Sequence, residues 1–251
     1  MPLLETSKGT LFYAESSPPP LILIHGSASS HLGWPAELRR FPNRRVLTID
    51  LPGHGRATGS AHTTISAYAD SVLALMQALL VPKAVLVGHS MGGAIALHMG
   101  LHMQEHVSGL VLIGSGAFLP VSRFILDNIL SNKQVVIEKI NQWSWAKAAD
   151  ASMQVLGLKA LQEVPAETIH ADYSACNQFD LRDRLPEIQV PALVIGGTAD
   201  KMTPLAYSEL LAERLPRATL KIVEGGGHWM MLEHPSVVAG YVAEWFNTYE
   251  N

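Results

Sequence analysis

Cysteine is almost absent: Cys176 is the only one in 251 residues. Without a second thiol the chain forms no internal disulfide and no thiolate cage for zinc, so nothing in it demands an oxidising compartment. Cys176 itself reads as a small buried apolar side chain. Charge is scarce too. Asp, Glu, Lys and Arg make up 16% of the residues against a usual share of roughly 25%, while hydrophobic residues make up 48%, which excludes a disordered tail or linker. The 18 Lys and Arg are outnumbered by 22 Asp and Glu, and a net charge of -4 leaves no surplus to hold a phosphate backbone, so nucleic acid is not an expected partner. Long apolar runs are missing as well. None approaches the roughly 20 residues that span a bilayer, and Glu5 and Lys8 interrupt the opening MPLLETSKGTLFY where a secretory signal needs an unbroken apolar stretch. The expectation is a soluble, cytoplasmic protein with no membrane partner.

What is present is a rhythm. Short apolar runs ending in Gly or Asp recur as PLILIHG (20–26), RRVLTIDL (44–51), KAVLVGHS (83–90), SGLVLIGSG (108–116), PALVIGGTAD (191–200) and ATLKIVEGGG (218–227). Runs of this kind are the mark of strands buried on both faces of a parallel sheet. Helical patterns lie between several of them. The clearest is TTISAYADSVLALMQALL, where Ile65, Tyr68, Ala69, Val72, Met76, Leu79 and Leu80 fall at spacings of three and four and predict one apolar face. Such alternation predicts an open α/β architecture with helices on both sides of the sheet, and ligands at the carboxyl ends of the strands. The rhythm fails between about Phe118 and Pro191, where helical segments such as RFILDNILSNKQVVIEKINQWSWAKAADASMQVLG predominate. At roughly 150 residues per domain, the length suits one domain with an insertion. The expected division is a core of 1–117 and 191–251 and a helical insertion of 118–190. The PPP at 18–20 and the GGG at 225–227 mark tight connections, and no internal repeat is found.

The chemistry concentrates at Gly88-His89-Ser90-Met91-Gly92-Gly93, because a strand (AVLV) runs into it and an apolar helical pattern (AIALHMGL) leaves it. That is the context of a G-x-S-x-G nucleophile elbow. A sharp strand-to-helix turn needs neighbours without side-chain bulk, which Gly88 and Gly92 supply, and it pushes the Ser90 hydroxyl into the open. A serine hydroxyl is weakly nucleophilic unless a base lies within hydrogen-bond reach and a third group orients that base. On this architecture the partners follow in the order Ser, Asp or Glu, then His. Among eleven histidines, His228 comes directly after a strand on a flexible GGG, whereas His234 precedes Pro235 at a helix start. His228 is the expected base. Asp200, at the end of PALVIGGTAD, is the expected acid; it could instead cap the helix beginning near Pro204, and Asp180 and Asp183 are weaker alternatives. Acyl transfer also needs donors for the oxyanion, and these are expected to be the backbone N–H groups of Met91 and of Ser27 in His25-Gly26-Ser27.

In order along the chain, HGSAS, DLPGHGRA, GHSMGG, GTAD and GGGHWMMLEHP resemble the motifs of the α/β-hydrolase fold superfamily, over nearly the whole chain outside 118–190. The resemblance implies a mostly parallel eight-stranded sheet flanked by helices, Ser90, Asp200 and His228 as triad, Ser27 and Met91 as oxyanion donors, and the insertion as a helical cap over the pocket. Within the superfamily the pattern is similar to small bacterial carboxylesterases and to enol-lactone, haloperoxidase-like and carbon-carbon bond hydrolases. One departure is RATG after DLPGHG, where many relatives have Arg-Ser.

The remaining signals are weaker. His98, His102 and His106 recur every four residues without a matching acidic cluster and span more than one ion can bridge, so a solvated face is expected and no metal or cofactor. His25 and His54 are expected to bond backbone in turns near the site, and His89 to shape the elbow. Phe118, Phe124, Trp143, Trp145, Met153, Tyr173, Phe179 and Trp229 are the expected pocket wall for a modest-sized, largely apolar substrate. The reading is a serine hydrolase of small carboxylic esters working through an acyl-enzyme. A lactonase, carbon-carbon bond hydrolase or perhydrolase with the same triad is the enzymatic alternative, and a ligand receptor on the same scaffold is the alternative outside catalysis.

Overall fold

Each of the six apolar runs becomes a strand. The computed structural model describes the backbone at residues 3–6, 9–12 and 19–249; the rest of the expected core segments, with Pro18 of the PPP and parts of the opening segment, lies outside the described residues. Two short strands, β1 (Leu3–Thr6) and β2 (Gly9–Phe12), form an antiparallel hairpin. The main sheet is built from β3 (Leu21–Ile24), β4 (Val46–Thr48), β5 (Ala84–His89), β6 (Val107–Ile113), β7 (Ala192–Gly197) and β8 (Ala218–Val223), all parallel, in the order β4-β3-β5-β6-β7-β8. The eight strands implied by resemblance are therefore corrected to six in one sheet and two apart from it, among the described residues. Both β1 and β2 spend their recorded pairing on each other.

The helices are α1 (Ala36–Arg39), α2 (Ile65–Ala78), α3 (Met91–His102), α4 (Arg123–Asn128), α5 (Lys133–Ser144), α6 (Ala151–Glu163), α7 (Ala166–Asn177), α8 (Leu205–Arg214), α9 (Met230–Glu233) and α10 (Pro235–Tyr249). Strand residues alternate between two cores. Ile22, Ile24, Leu86, Leu110, Leu112 and Val194 join α2 and α3 on one face, while Leu21, Leu23, Val85, Val87, Val111 and Ile195 join Leu38 of α1 and Val238, Val242 and Trp245 of α10 on the other. Burial on both faces is why these strands read as unbroken apolar runs rather than alternating ones. On α2 the expected apolar face ends early. Ile65, Tyr68, Ala69, Val72 and Met76 are buried, but the helix stops at Ala78, and Leu80 turns the chain at φ 53 and stands exposed beside a largely exposed Leu79.

Two features of this topology place the site. After β3 the chain moves outward to β4 and then crosses back to β5 on the opposite side of β3, so the loops after β3 and β5 diverge and leave a crevice at their carboxyl ends. Between β6 and β7 the chain inserts α4 to α7, which pack around a third apolar cluster containing Ile125, Ile129, Val136, Ile137, Ile140, Leu161 and Ile169.

Candidate active site

Ser90 sits between β5 and α3 with φ 52 and ψ -116, a left-handed backbone that costs a non-glycine residue about 1–3 kcal/mol. The turn is pinned from several sides. The Ser90 amide donates to the Ile113 carbonyl at 3.0 Å, and its own carbonyl accepts from Gly93 N–H at 2.9 Å and from the Ser115 hydroxyl at 2.8 Å. The flanking glycines are required by contact: a β-carbon on Gly88 would lie 2.2 Å from the Gly92 carbonyl oxygen, and one on Gly92 would lie 2.0 Å from that of Ile24. The Ser90 side chain borders a cavity of about 1230 Å³.

His228, in the loop after β8, borders the same cavity, and Asp200, in the loop after β7, meets its imidazole from behind. His228 Nδ1 lies 2.9 Å from Asp200 Oδ2, with both side chains almost fully buried. A carboxylate only accepts, so Nδ1 carries the proton and the lone pair falls to Nε2. Asp200 is saturated: Oδ1 accepts from the amides of Met202 (2.8 Å) and Thr203 (2.9 Å), and Oδ2 also accepts from the Thr203 hydroxyl (2.7 Å). Burial alone would raise its carboxyl; the adjacent His228 imidazole and the Thr203 bonds outweigh it and hold the group below the ordinary carboxylate range. The helix that Asp200 could have capped begins at Leu205 behind Pro204, with no side-chain cap. Asp180 instead forms an exposed bidentate pair with Arg182, Asp183 is exposed, and His234 ends α9; none of the three lines the cavity.

The expected oxyanion residues are also brought together. The Ser27 hydroxyl lies 3.5 Å from Met91 Sδ and 3.5 Å from Cys176 Sγ. His89, the residue before Ser90, is buried and neutral: its Nε2 donates to the His228 carbonyl oxygen at 2.9 Å, and among the described residues Nδ1 has no partner. Burial, with His228 beside it, lowers its pKa to about 3. Its ring packs on those of His228 and Trp229, with centroids 4.8 and 4.6 Å away.

Of the eight expected pocket residues, Trp143, Trp145, Met153, Tyr173 and Trp229 line the cavity and three do not. Phe118 stacks on Tyr207 under the Arg182 guanidinium, Phe124 stands partly exposed at the edge of Trp143, and Phe179 is buried in the core. These three are corrected: Phe118 is held in a bridge to Asp180 and Phe179 lies beyond the end of α7, both at the base of the insertion, while Phe124 sits on a face of α4 turned away from the cavity. The wall also includes Ile125, Ile140, Leu156, Leu161 and Leu232. The volume exceeds the roughly 300–1,000 Å³ of ordinary ligand pockets, so the room is larger than a modest-sized substrate requires.

His98 and His102 stack with ring centroids 4.5 Å apart, and His106 bonds the Pro82 carbonyl; among the described residues no group of three His, Cys, Asp or Glu side chains is placed to hold a metal ion. No helix among those residues is long and apolar enough to cross a membrane. Two site residues escaped the sequence reading. Thr203, three residues after Asp200, has the spacing of a side-chain-to-backbone turn. Asp172 is a carboxylate inside the apolar face of α7, between Ile169, Tyr173 and Cys176.

Comparison with known proteins bears on this geometry. The sequence model of the alpha/beta hydrolase family matches residues 21–240. A pimeloyl-(acyl-carrier protein) methyl ester esterase of Vibrio atlanticus is 32% identical over 84% of this chain and 87% of the relative. A 2-hydroxymuconate semialdehyde hydrolase of Pseudomonas putida is 28% identical over 90% of this chain and 87% of its own length. The structure of the enol-lactonase from Burkholderia xenovorans LB400 superposes with a TM-score of 0.85, covering 98% of this chain and 100% of that one at 21% identity, a likeness of fold.

Proposed function

The chain belongs to the alpha/beta hydrolase family, and from that premise we propose that it is a serine hydrolase of carboxylic esters. Ser90 is the nucleophile, His228 the base, Asp200 the group that orients it, and the amides of Ser27 and Met91 receive the oxyanion. The observation that carries this reading is the buried pair of His228 and Asp200, 2.9 Å apart, whose imidazole borders the same cavity as a strained serine. Among the described residues the Ser90 hydroxyl makes no hydrogen bond, and the bond to His228 that the reaction needs is of a kind that tightens around substrate.

In the proposed reaction the Ser90 oxygen attacks the ester carbonyl and its proton passes to His228 Nε2. Charge develops on the former carbonyl oxygen against the two amides, and the alcohol departs with the proton held by His228. Water, deprotonated by the same imidazole, then frees the acid. Residues 118–190 act as a cap over the core of 1–117 and 191–251. Most of the wall is aliphatic or aromatic, with His54, Asn141, Ser144 and Thr203 among its polar members and the charged side chains Glu163 and Lys201 exposed, a lining that favours a largely apolar ester.

Ser90→Ala should abolish hydrolysis of a nitrophenyl ester without changing the melting temperature, and a fluorophosphonate should label Ser90. Retained turnover, or a peptide map without an adduct at Ser90, would overturn the proposal.

A further inference from the structure

A second buried carboxylate lies in the insertion. Asp172, on α7 of the insertion, is fully buried and gathers three donors from three separate parts of the core. Its Oδ2 accepts from the Ala28 amide at 2.8 Å and from His54 Nε2 at 2.8 Å, and its Oδ1 accepts from the Tyr68 hydroxyl at 2.5 Å. The other ring nitrogen of His54 faces the Pro52 carbonyl oxygen at 3.1 Å. With a carboxylate on one nitrogen and a carbonyl on the other, both nitrogens donate and the ring is an imidazolium. Burial alone would lower the His54 pKa, but the bond and charge of Asp172 outweigh it and raise the value. An ion pair buried this deeply seldom stabilises a fold better than apolar packing would, so its place in the loop geometry is the more informative fact.

That place is next to Ser27. The peptide unit before Ser27 is fixed at the Gly26 carbonyl oxygen, 2.8 Å from His25 Nδ1. Because a peptide unit is planar and trans, the Ser27 N–H in that unit points the opposite way. The unit after Ser27 is fixed at the Ala28 N–H by Asp172, and Ala28 itself is held at φ 53, a conformation its side chain disfavours. Both planes flanking the expected oxyanion donor are thus pinned, one from within the core and one from the insertion.

We propose that Asp172 is a positioning residue for catalysis, holding the Ser27–Ala28 backbone so that the Ser27 amide stays aimed at the oxyanion. The insertion on this view completes the catalytic machinery as well as walling the pocket. The inference rests on the serine-hydrolase reading.

The test compares wild type with Asp172→Asn, Asp172→Ala and Tyr68→Phe on a nitrophenyl ester, with a trifluoromethyl ketone as probe, since its tetrahedral adduct needs the oxyanion donors. Asp172→Ala should lower kcat by about a hundredfold with KM within about threefold, and the affinity for the ketone should fall in parallel. Asp172→Asn, which keeps an acceptor for Ala28 but loses the charge, should recover part of both, and Tyr68→Phe more. Should Asp172→Ala fail to fold, the other two variants carry the comparison. A rise in KM at unchanged kcat, or a fall in kcat without loss of ketone affinity, would overturn the proposal. Wild type that hydrolyses no ester and binds no trifluoromethyl ketone would instead overturn the serine-hydrolase reading, before any variant is made.

Discussion

The most exacting demand of the elbow falls on Gly92. It is the second residue of α3, where the first turn crosses the end of β3, and a β-carbon there would lie 2.0 Å from the Ile24 carbonyl oxygen and 2.7 Å from that of His25. Both obstacles are backbone atoms, and Ile24 is fully buried at the end of β3, paired with Gly88 of β5. Contacts under 3.0 Å are not tolerated, so in Gly92→Ala the start of α3 must withdraw by about 1 Å, an overpacking that costs about 1–3 kcal/mol. For a chain of this length the loss corresponds to a melting temperature lower by ~2–12 °C. The start of α3 carries Ser90 and the Met91 amide, and misplacing reacting groups by about 1 Å costs roughly a hundredfold in rate. The assay pairs thermal unfolding with kcat/KM on a nitrophenyl ester. Gly240, inside α10, is the contrast: a β-carbon there meets nothing within 4 Å, and Gly240→Ala should gain about 0.5–1 kcal/mol by restricting the unfolded chain. A Gly92→Ala enzyme with unchanged melting and kcat/KM within twofold would refute the steric account of the motif.

Two further outcomes follow from the buried polar groups. Thr203→Val removes the hydroxyl 2.7 Å from Asp200 Oδ2; kcat/KM should fall about tenfold and stability by about 1.5–3 kcal/mol, with Asp200 easier to protonate, and acid unfolding at an unchanged pH would refute it. Stability should peak near pH 6.5. His25 and His89 are buried neutral with values lowered from 6.5 to about 4 and about 3, chiefly by burial, so below 6.5 the unfolded chain binds two protons that the folded chain refuses, and stability falls by up to about 2–3 kcal/mol per pH unit. His54 is shifted the other way, so its contribution is complete below 6.5 and is lost as pH rises through its folded value. Urea unfolding at constant ionic strength, giving a flat profile from pH 8 to pH 5, would show these assignments to be wrong.

The parts of this molecule legible in its sequence are those governed by local rules. Strands buried on both faces must be apolar throughout, so LILI, AVLV and ALVI identify themselves. An elbow must have Gly on both sides of its nucleophile, for the contacts at Gly88 and Gly92 leave no alternative. Chain order then reduces eleven histidines to His228 and His234 as candidates, and the GGG before His228 chooses between them. The strand count was not legible, because LLET and GTLF carry no signal that they pair with each other rather than with the main sheet. Nor was the pocket wall: Phe179 and Tyr173 stand on the same stretch of chain and are both buried, yet only Tyr173 lines the cavity. Which face of α7 meets the core is decided by partners far away in sequence.

Asp172 illustrates the boundary most directly. Its local signal was present, since Thr168, Ile169, Asp172, Tyr173 and Cys176 follow helical spacing and an acidic residue within a buried stripe requires partners. The partners, Ala28, His54 and Tyr68, lie 144, 118 and 104 residues away, and no local rule names them. Once they are known, the energetics of the insertion become asymmetric. Lifting α7 away from the core would strand a buried carboxylate and a buried imidazolium, and breaking such a pair costs about 3–5 kcal/mol. Elsewhere the insertion presents exposed apolar residues, Val155 and Leu156 of α6 and Leu130 just after α4, and moving such side chains costs far less than unpairing a buried charge. The end of the insertion that touches the Ser27–Ala28 loop is therefore held by a buried charge pair, whereas the junction of α5 and α6 meets the core through single hydrogen bonds, from Ala146 N–H to Glu233 Oε1 at 3.2 Å and from Trp229 N–H to the Ser144 carbonyl at 3.2 Å.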